Sequence, residues 1–143
     1  MGLTQPATVA DIFQMDKPAN QGRPLGITVV ALLMIVFGLA EVSTGFTHRF
    51  FGLSTAPVRV STYTGVAIGI LYAVSGLLIL SMKRRAAALA IVLLIIVIIG
   101  RISMVVAGLY SVDSFKQVLA IFLGTSIVAF FAIYIGLKWS WFI

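Results

Sequence analysis

The stretch AAALAIVLLIIVIIG, residues 86–100, carries no polar side chain at any position. A buried strand takes about 4–8 residues, so an uninterrupted apolar run of this length is a helix. A helix that is apolar on every side needs an apolar solvent, because it has no face to turn toward water. Working outward from this stretch, a helix needs about 20 apolar residues to cross a hydrocarbon core in which no solvent can bond backbone amides. Four stretches meet that requirement: residues 26–45, 62–82, 86–110 and 118–137. The links between them are short, and the second is only Lys83-Arg84-Arg85, which forces successive helices to lie antiparallel and adjacent. The expected fold is all-α, a polytopic membrane protein built as an antiparallel four-transmembrane-helix bundle. Residues 1–25 form an amino-terminal tail and residues 26–143 the transmembrane domain.

Composition points the same way. Of 143 residues, 61% are hydrophobic and 10% charged, with a mean hydropathy of +1.15. So small a globule has too much surface per unit volume to hide that many apolar side chains from water. The formal charge of +6 and pI near 10.2 would suggest nucleic acid in a soluble protein. Here the ten basic residues, Arg101 apart, are scattered over the tail and short loops instead of lining one face, so phospholipid head groups are the expected anions and no nucleic-acid partner is expected.

The sequence contains no cysteine and a single histidine, His48. That excludes disulfides, iron–sulfur clusters, thiolate zinc sites, a cysteine nucleophile and a paired-histidine haem within the chain. No Gly-rich phosphate loop, Ser-His-Asp set or paired carboxylates is present, so no catalytic residue, metal site or cofactor is expected. Asp11, Asp16 and Lys17 interrupt the tail, which has no continuous apolar region and does not read as a cleavable signal.

For orientation, Lys17, Arg23, Lys83, Arg84, Arg85 and Lys138 share one side, against Arg49, Arg59 and Lys116 on the other. The positive-inside bias then places both termini in the cytoplasm of a cell expected to carry the protein in its plasma membrane. Lys83, Arg84 and Arg85 are the expected inner-leaflet contacts. Trp139, Trp141 and Phe142 are expected to anchor that interface, and Phe46, Phe50, Phe51, Tyr63 and Tyr110 the opposite one.

Gly65, Gly69, Ala73 and Gly76 recur at spacings of four, four and three, which puts four small residues on one face of the second span. In lipid, close van der Waals contact replaces the hydrophobic force between helices, and only small side chains permit it. Ala120 with Gly124, and Ala132 with Gly136, repeat the device in the fourth span.

Two charges fall inside the spans, Glu41 in the first and Arg101 in the third. Each lies 15 residues beyond its span's first residue, Gly26 or Ala86, so at about 1.5 Å per residue they share a depth near 22 Å. An ionised group in hydrocarbon is costly and seeks a partner, so a Glu41–Arg101 ion pair is expected. Bidentate geometry is expected, with Ser43, Thr44 and Ser103 taking the remaining hydrogen bonds. The pair reads as a pin between helices or as one step of a transport path, and no other acid, Lys or His lies within a span to continue such a path.

In the tail, Thr8 caps a short segment with Val9, Ile12 and Phe13 on one face, ended by Lys17-Pro18. Two turns are too short to stand in water, so docking on a partner or the membrane surface is expected.

Arg23-Pro24-Leu25-Gly26-Ile27-Thr28 with Gly38, Gly76-Leu77-Leu78, the basic elbow Met82-Lys83-Arg84-Arg85-Ala86 and Leu89-Ala90-Ile91 together resemble a group of sequences. They are similar to uncharacterised small four-span membrane proteins of archaea and bacteria. The resemblance covers the first three spans, implies the four-span topology and transfers no site residue. The expected function is that of a non-catalytic accessory subunit of a larger membrane complex, of respiratory or monooxygenase type, whose partners are the lipid bilayer and other membrane subunits. The alternative is a small homo-oligomeric transporter or channel using Glu41 and Arg101.

Overall fold

A computed structural model describes residues 24–50 and 53–143. Four helices dominate: α1 (Leu25–Thr47), α2 (Arg59–Leu80), α3 (Arg84–Val106) and α4 (Phe115–Leu137). Each is long and apolar enough to cross a membrane, and each packs on the next to make a four-helix bundle. Val9, Ile12, Phe13, Lys17, Arg23 and Phe51 lie outside the described residues.

The helix ends follow from local chemistry. Pro24 has no N–H to lose, and its carbonyl accepts from Ile27 N at 3.0 Å and Thr28 N at 3.2 Å to open α1. Ser114 opens α4 with a reciprocal cap: its hydroxyl accepts from Gln117 N, and the Gln117 side chain accepts from Ser114 N. α3 stops at Val106, short of the expected Tyr110. Gly108 takes φ +67, Leu109 N reaches back to Met104 O at 2.9 Å and Gly108 N to Val105 O at 3.0 Å. That pair of bonds is a Schellman stop, which favours glycine at the left-handed position.

The α1–α2 link forms a small antiparallel hairpin, β1 (Arg49–Phe50) and β2 (Leu53–Ser54), with Arg49 opposite Ser54. The α3–α4 link lies against it: Thr55 bridges Tyr110, Ala56 N bonds Leu109 O at 2.8 Å, and Ser111 N bonds Ser54 O at 2.9 Å. The two links thus close one end of the bundle, the hairpin end. The other, elbow end is tied by Arg84 N to Ile143 O at 2.8 Å and Ile143 N to Met82 O at 2.9 Å.

The tightest contact in the bundle is α1 on α2. A Cβ on Gly69 would lie 2.6 Å from Val42 N, one on Gly38 2.5 Å from Ala73 N, and one on Gly76 2.7 Å from Ala31 O. Gly65 and Gly45 face each other the same way, at 3.2 Å. The ladder of α2 is therefore matched by Ala31, Gly38 and Gly45 on α1, spaced by seven, a complement the sequence reading did not single out. Apolar packing fills the bundle centre with Met34, Ile79, Leu94, Val97 and Val128, all fully buried.

α4 is held differently. Only Val128, Phe131 and Ile135 of its side chains are buried, all in its elbow half. Two aromatic expectations are corrected. Phe142 is 1% exposed and Tyr110 4%, so both are core residues and not interface anchors, because the segment after α4 and the α3–α4 link fold them inward. Phe46 and Tyr63 are exposed, as are Trp139 and Trp141, and Lys138 Nζ stands 5.8 Å above the Trp141 ring.

Candidate functional site

Glu41 and Arg101 meet inside the bundle, with Nη2 of Arg101 donating to Oε2 of Glu41. Both residues are 5% exposed. Glu41 lies six residues before the end of α1 and Arg101 five before the end of α3, about 8–9 Å inside the hairpin end by helical rise. The first and third helices run parallel, which is what lets charges at equal depth face one another.

The contact is not bidentate. One guanidinium nitrogen reaches one carboxylate oxygen, and the second oxygen, Oε1, accepts from Tyr110 OH at 3.1 Å. Ser43, Thr44 and Ser103 do not supply these bonds. Ser43 is exposed, and the hydroxyls of Thr44 and Ser103 donate to carbonyls of their own helices, Ala40 O at 3.0 Å and Ile99 O at 2.8 Å. That internal option is always within reach of a hydroxyl four residues on. The sequence reading missed Tyr110 as a ligand of Glu41 because its position depends on the Gly108 turn and on the bridge to Thr55. Tyr110 lies beyond Val106, and burial first, then the neighbouring Glu41 carboxylate, pushes its phenol well above the usual range. It therefore stays protonated and donating.

Arg101 retains unused donor capacity. Its Nε is buried without a partner among the described residues, and Tyr72 OH is likewise buried and unpartnered. Tyr72 packs its ring on Phe131, centroids 6.4 Å apart, beside the charged pair. The Nη1 nitrogen of Arg101 lies against Gly124 of α4, where an added Cβ would come within 2.7 Å of it. Gly124 thus serves passage of the guanidinium past α4, which gives this small residue a contact other than the helix-on-helix groove expected for it.

Because α4 is gripped only in its elbow half, it leaves a groove of about 650 Å³ against α1 toward the hairpin end. Val36, Phe37 and Ala40 form one wall and Leu119, Leu123 and Ile127 the other, with Ala120 and Gly124 between them. Glu41, Thr44, Tyr72 and Arg101 supply the polar floor, and Lys116 stands at the mouth.

The remaining sites are placed as follows. Gly65, Gly69 and Gly76 carry the α1 contact, and Ala73 meets Gly38. Ala132 packs on the core, whereas a Cβ added to Gly136 would meet nothing within 4 Å among the described residues. Lys83, Arg84 and Arg85 border an open hollow at the elbow, where Arg84 Nε donates to Phe142 O at 2.8 Å. His48 caps α1 in the left-handed region and contacts Thr55 at 3.1 Å and Thr62 at 3.5 Å through its ring nitrogens. No group of three His, Asp or Glu side chains forms among the described residues.

No protein-family model matches this sequence, and neither a curated protein nor a solved structure matches it. What the fold defines is the class, a multi-pass helical membrane protein.

Proposed function

We propose that the chain is a non-catalytic accessory subunit of a larger membrane complex, seated in the plasma membrane with both chain termini, and so the elbow end of the bundle, cytoplasmic. The outward face of α4 carries this reading. Phe115, Phe122 and Ile133 lie opposite the buried Val128, Phe131 and Ile135, and are 79%, 67% and 62% exposed. Among the described residues nothing covers Gly136 beside them, so a second helix could approach the α4 backbone closely there. A helix fixed along one edge and over half its length is well suited to share its other face with a partner.

The charged pair supports a structural role over conduction. Both oxygens of Glu41 are engaged, and a carboxylate satisfied by Arg101 and Tyr110 is a poor way-station for a proton or cation. The basic elbow, with Lys83, Arg84 and Arg85, supports the cytoplasmic orientation.

Extraction in mild detergent followed by mass spectrometry of what co-purifies is the test. Other membrane chains are expected in fixed ratio, and Ile133→Arg on the outward face is expected to release them while leaving the bundle folded. Recovery of the native chain as a lone monomer defeats the reading.

A further inference from the structure

We propose that the groove between α1 and α4 is a binding site for a long-chain carboxylate, its chain along the apolar walls and its head on Arg101 and Lys116. The volume, about 650 Å³, falls within the roughly 300–1,000 Å³ of small-molecule sites. Walls of Phe37, Leu119 and Leu123 suit an alkyl chain, and Ala120 and Gly124 leave the space between them.

The floor specifies the head group. Each oxygen of Glu41 already accepts one bond, from Arg101 or from Tyr110. Among the described residues Arg101 donates only through Nη2, leaving Nε without a partner and Nη1 against Gly124. Tyr72 lines the same space, and its buried hydroxyl is also unpartnered among the described residues. Donors are in excess over acceptors. Charge is in excess as well, since Arg101 and Lys116 face the single acid Glu41. A ligand that completes this floor brings acceptor oxygens and one negative charge.

Depth separates the two sources of such chemistry. Arg101 lies about 8 Å inside the end of α3, below the level at which a bilayer phosphate rests. A bulky phospholipid head stays above it, whereas a carboxylate on a single chain reaches it. This inference holds whether or not a partner chain covers the outward face of α4, because the groove lies on a different face of that helix.

The protein, reconstituted in phosphatidylcholine nanodiscs, is titrated with radiolabelled oleate. Saturable binding is expected at one oleate per chain. Oleyl alcohol, with the same chain and a neutral head, is expected to compete at least about tenfold less well, the loss of one charge-assisted contact. Phosphatidylglycerol added to the nanodisc is expected not to displace oleate. Ala120→Phe, which fills the groove, abolishes binding, and Lys116→Gln weakens it about tenfold. Should Ala120→Phe fail to assemble, Lys116→Gln decides alone, since its side chain is exposed in the first turn of α4. Unsaturable uptake, equal competition by the alcohol, displacement by phosphatidylglycerol, or unchanged affinity in Lys116→Gln overturns the proposal.

Discussion

Glu41 shows how a charge is made tolerable away from water. One oxygen takes a guanidinium N–H and the other a phenol O–H, so neither oxygen is left without a donor. The balance is asymmetric: removing one partner strands the other, while removing both removes the problem. Arg101→Met is therefore expected to cost about 3–5 kcal/mol in reversible unfolding from mixed micelles. The double change Glu41→Leu with Arg101→Met should recover most of that loss. Equal instability of single and double variants would show that the pair contributes nothing beyond packing. Tyr110→Phe leaves a carboxylate oxygen without its donor, and a loss of about 1.5–3 kcal/mol is expected in the same assay. Liposomes bearing Glu41→Gln should match the wild type in proton and anion flux, and a difference between them would favour the transport alternative.

Helix against helix, two kinds of contact coexist. α1 and α2 meet backbone to backbone, and a methyl group on Gly38 or Gly69 has no room, with Ala73 N and Val42 N at 2.5 and 2.6 Å from the added carbon. Gly69→Ala is expected to destabilise the bundle by about 1–3 kcal/mol through overpacking. Gly136→Ala, facing open space, should change stability by less than about 0.5 kcal/mol in the isolated chain. If co-purified partners vanish in Gly136→Ala although its stability is untouched, the small residue serves an outside helix. Comparable losses at Gly69 and Gly136 would instead show that intrachain packing uses both. α4, gripped by three buried side chains, is the element most free to shift.

For the molecule as a whole, the two closed ends matter more than any one helix. The hairpin end is tied by backbone bonds between the α1–α2 and α3–α4 links, which hold Tyr110 above Glu41. The elbow end is tied by residues 142 and 143 pairing with Met82 and Arg84. Since the sequence has no cysteine, single replacements report topology without background. Arg85→Cys should react with an impermeant maleimide only after cells are opened, and Val112→Cys in intact cells. The reverse pattern would invert the orientation proposed from the basic residues.

The sequence by itself determined four lipid-embedded helices, because hydrophobic run length is a property of the chain before it folds. It also marked the Gly65–Gly69–Gly76 face, since periodicity alone places small residues together, and it singled out Glu41 and Arg101, since charge within an apolar run is visible at once. It did not reveal the complementary heptad of Ala31, Gly38 and Gly45, because among so many apolar residues the partner face is defined only by the helix laid against it. Nor could it assign Tyr110 to Glu41, or the gap at Gly124 to Arg101. Those contacts join positions 69 and 23 residues apart, and they exist only once the Gly108 turn and the splay of α4 have set the distances. The groove is likewise a product of tertiary structure, formed where α4 parts from α1 over a floor whose residues come from three different helices.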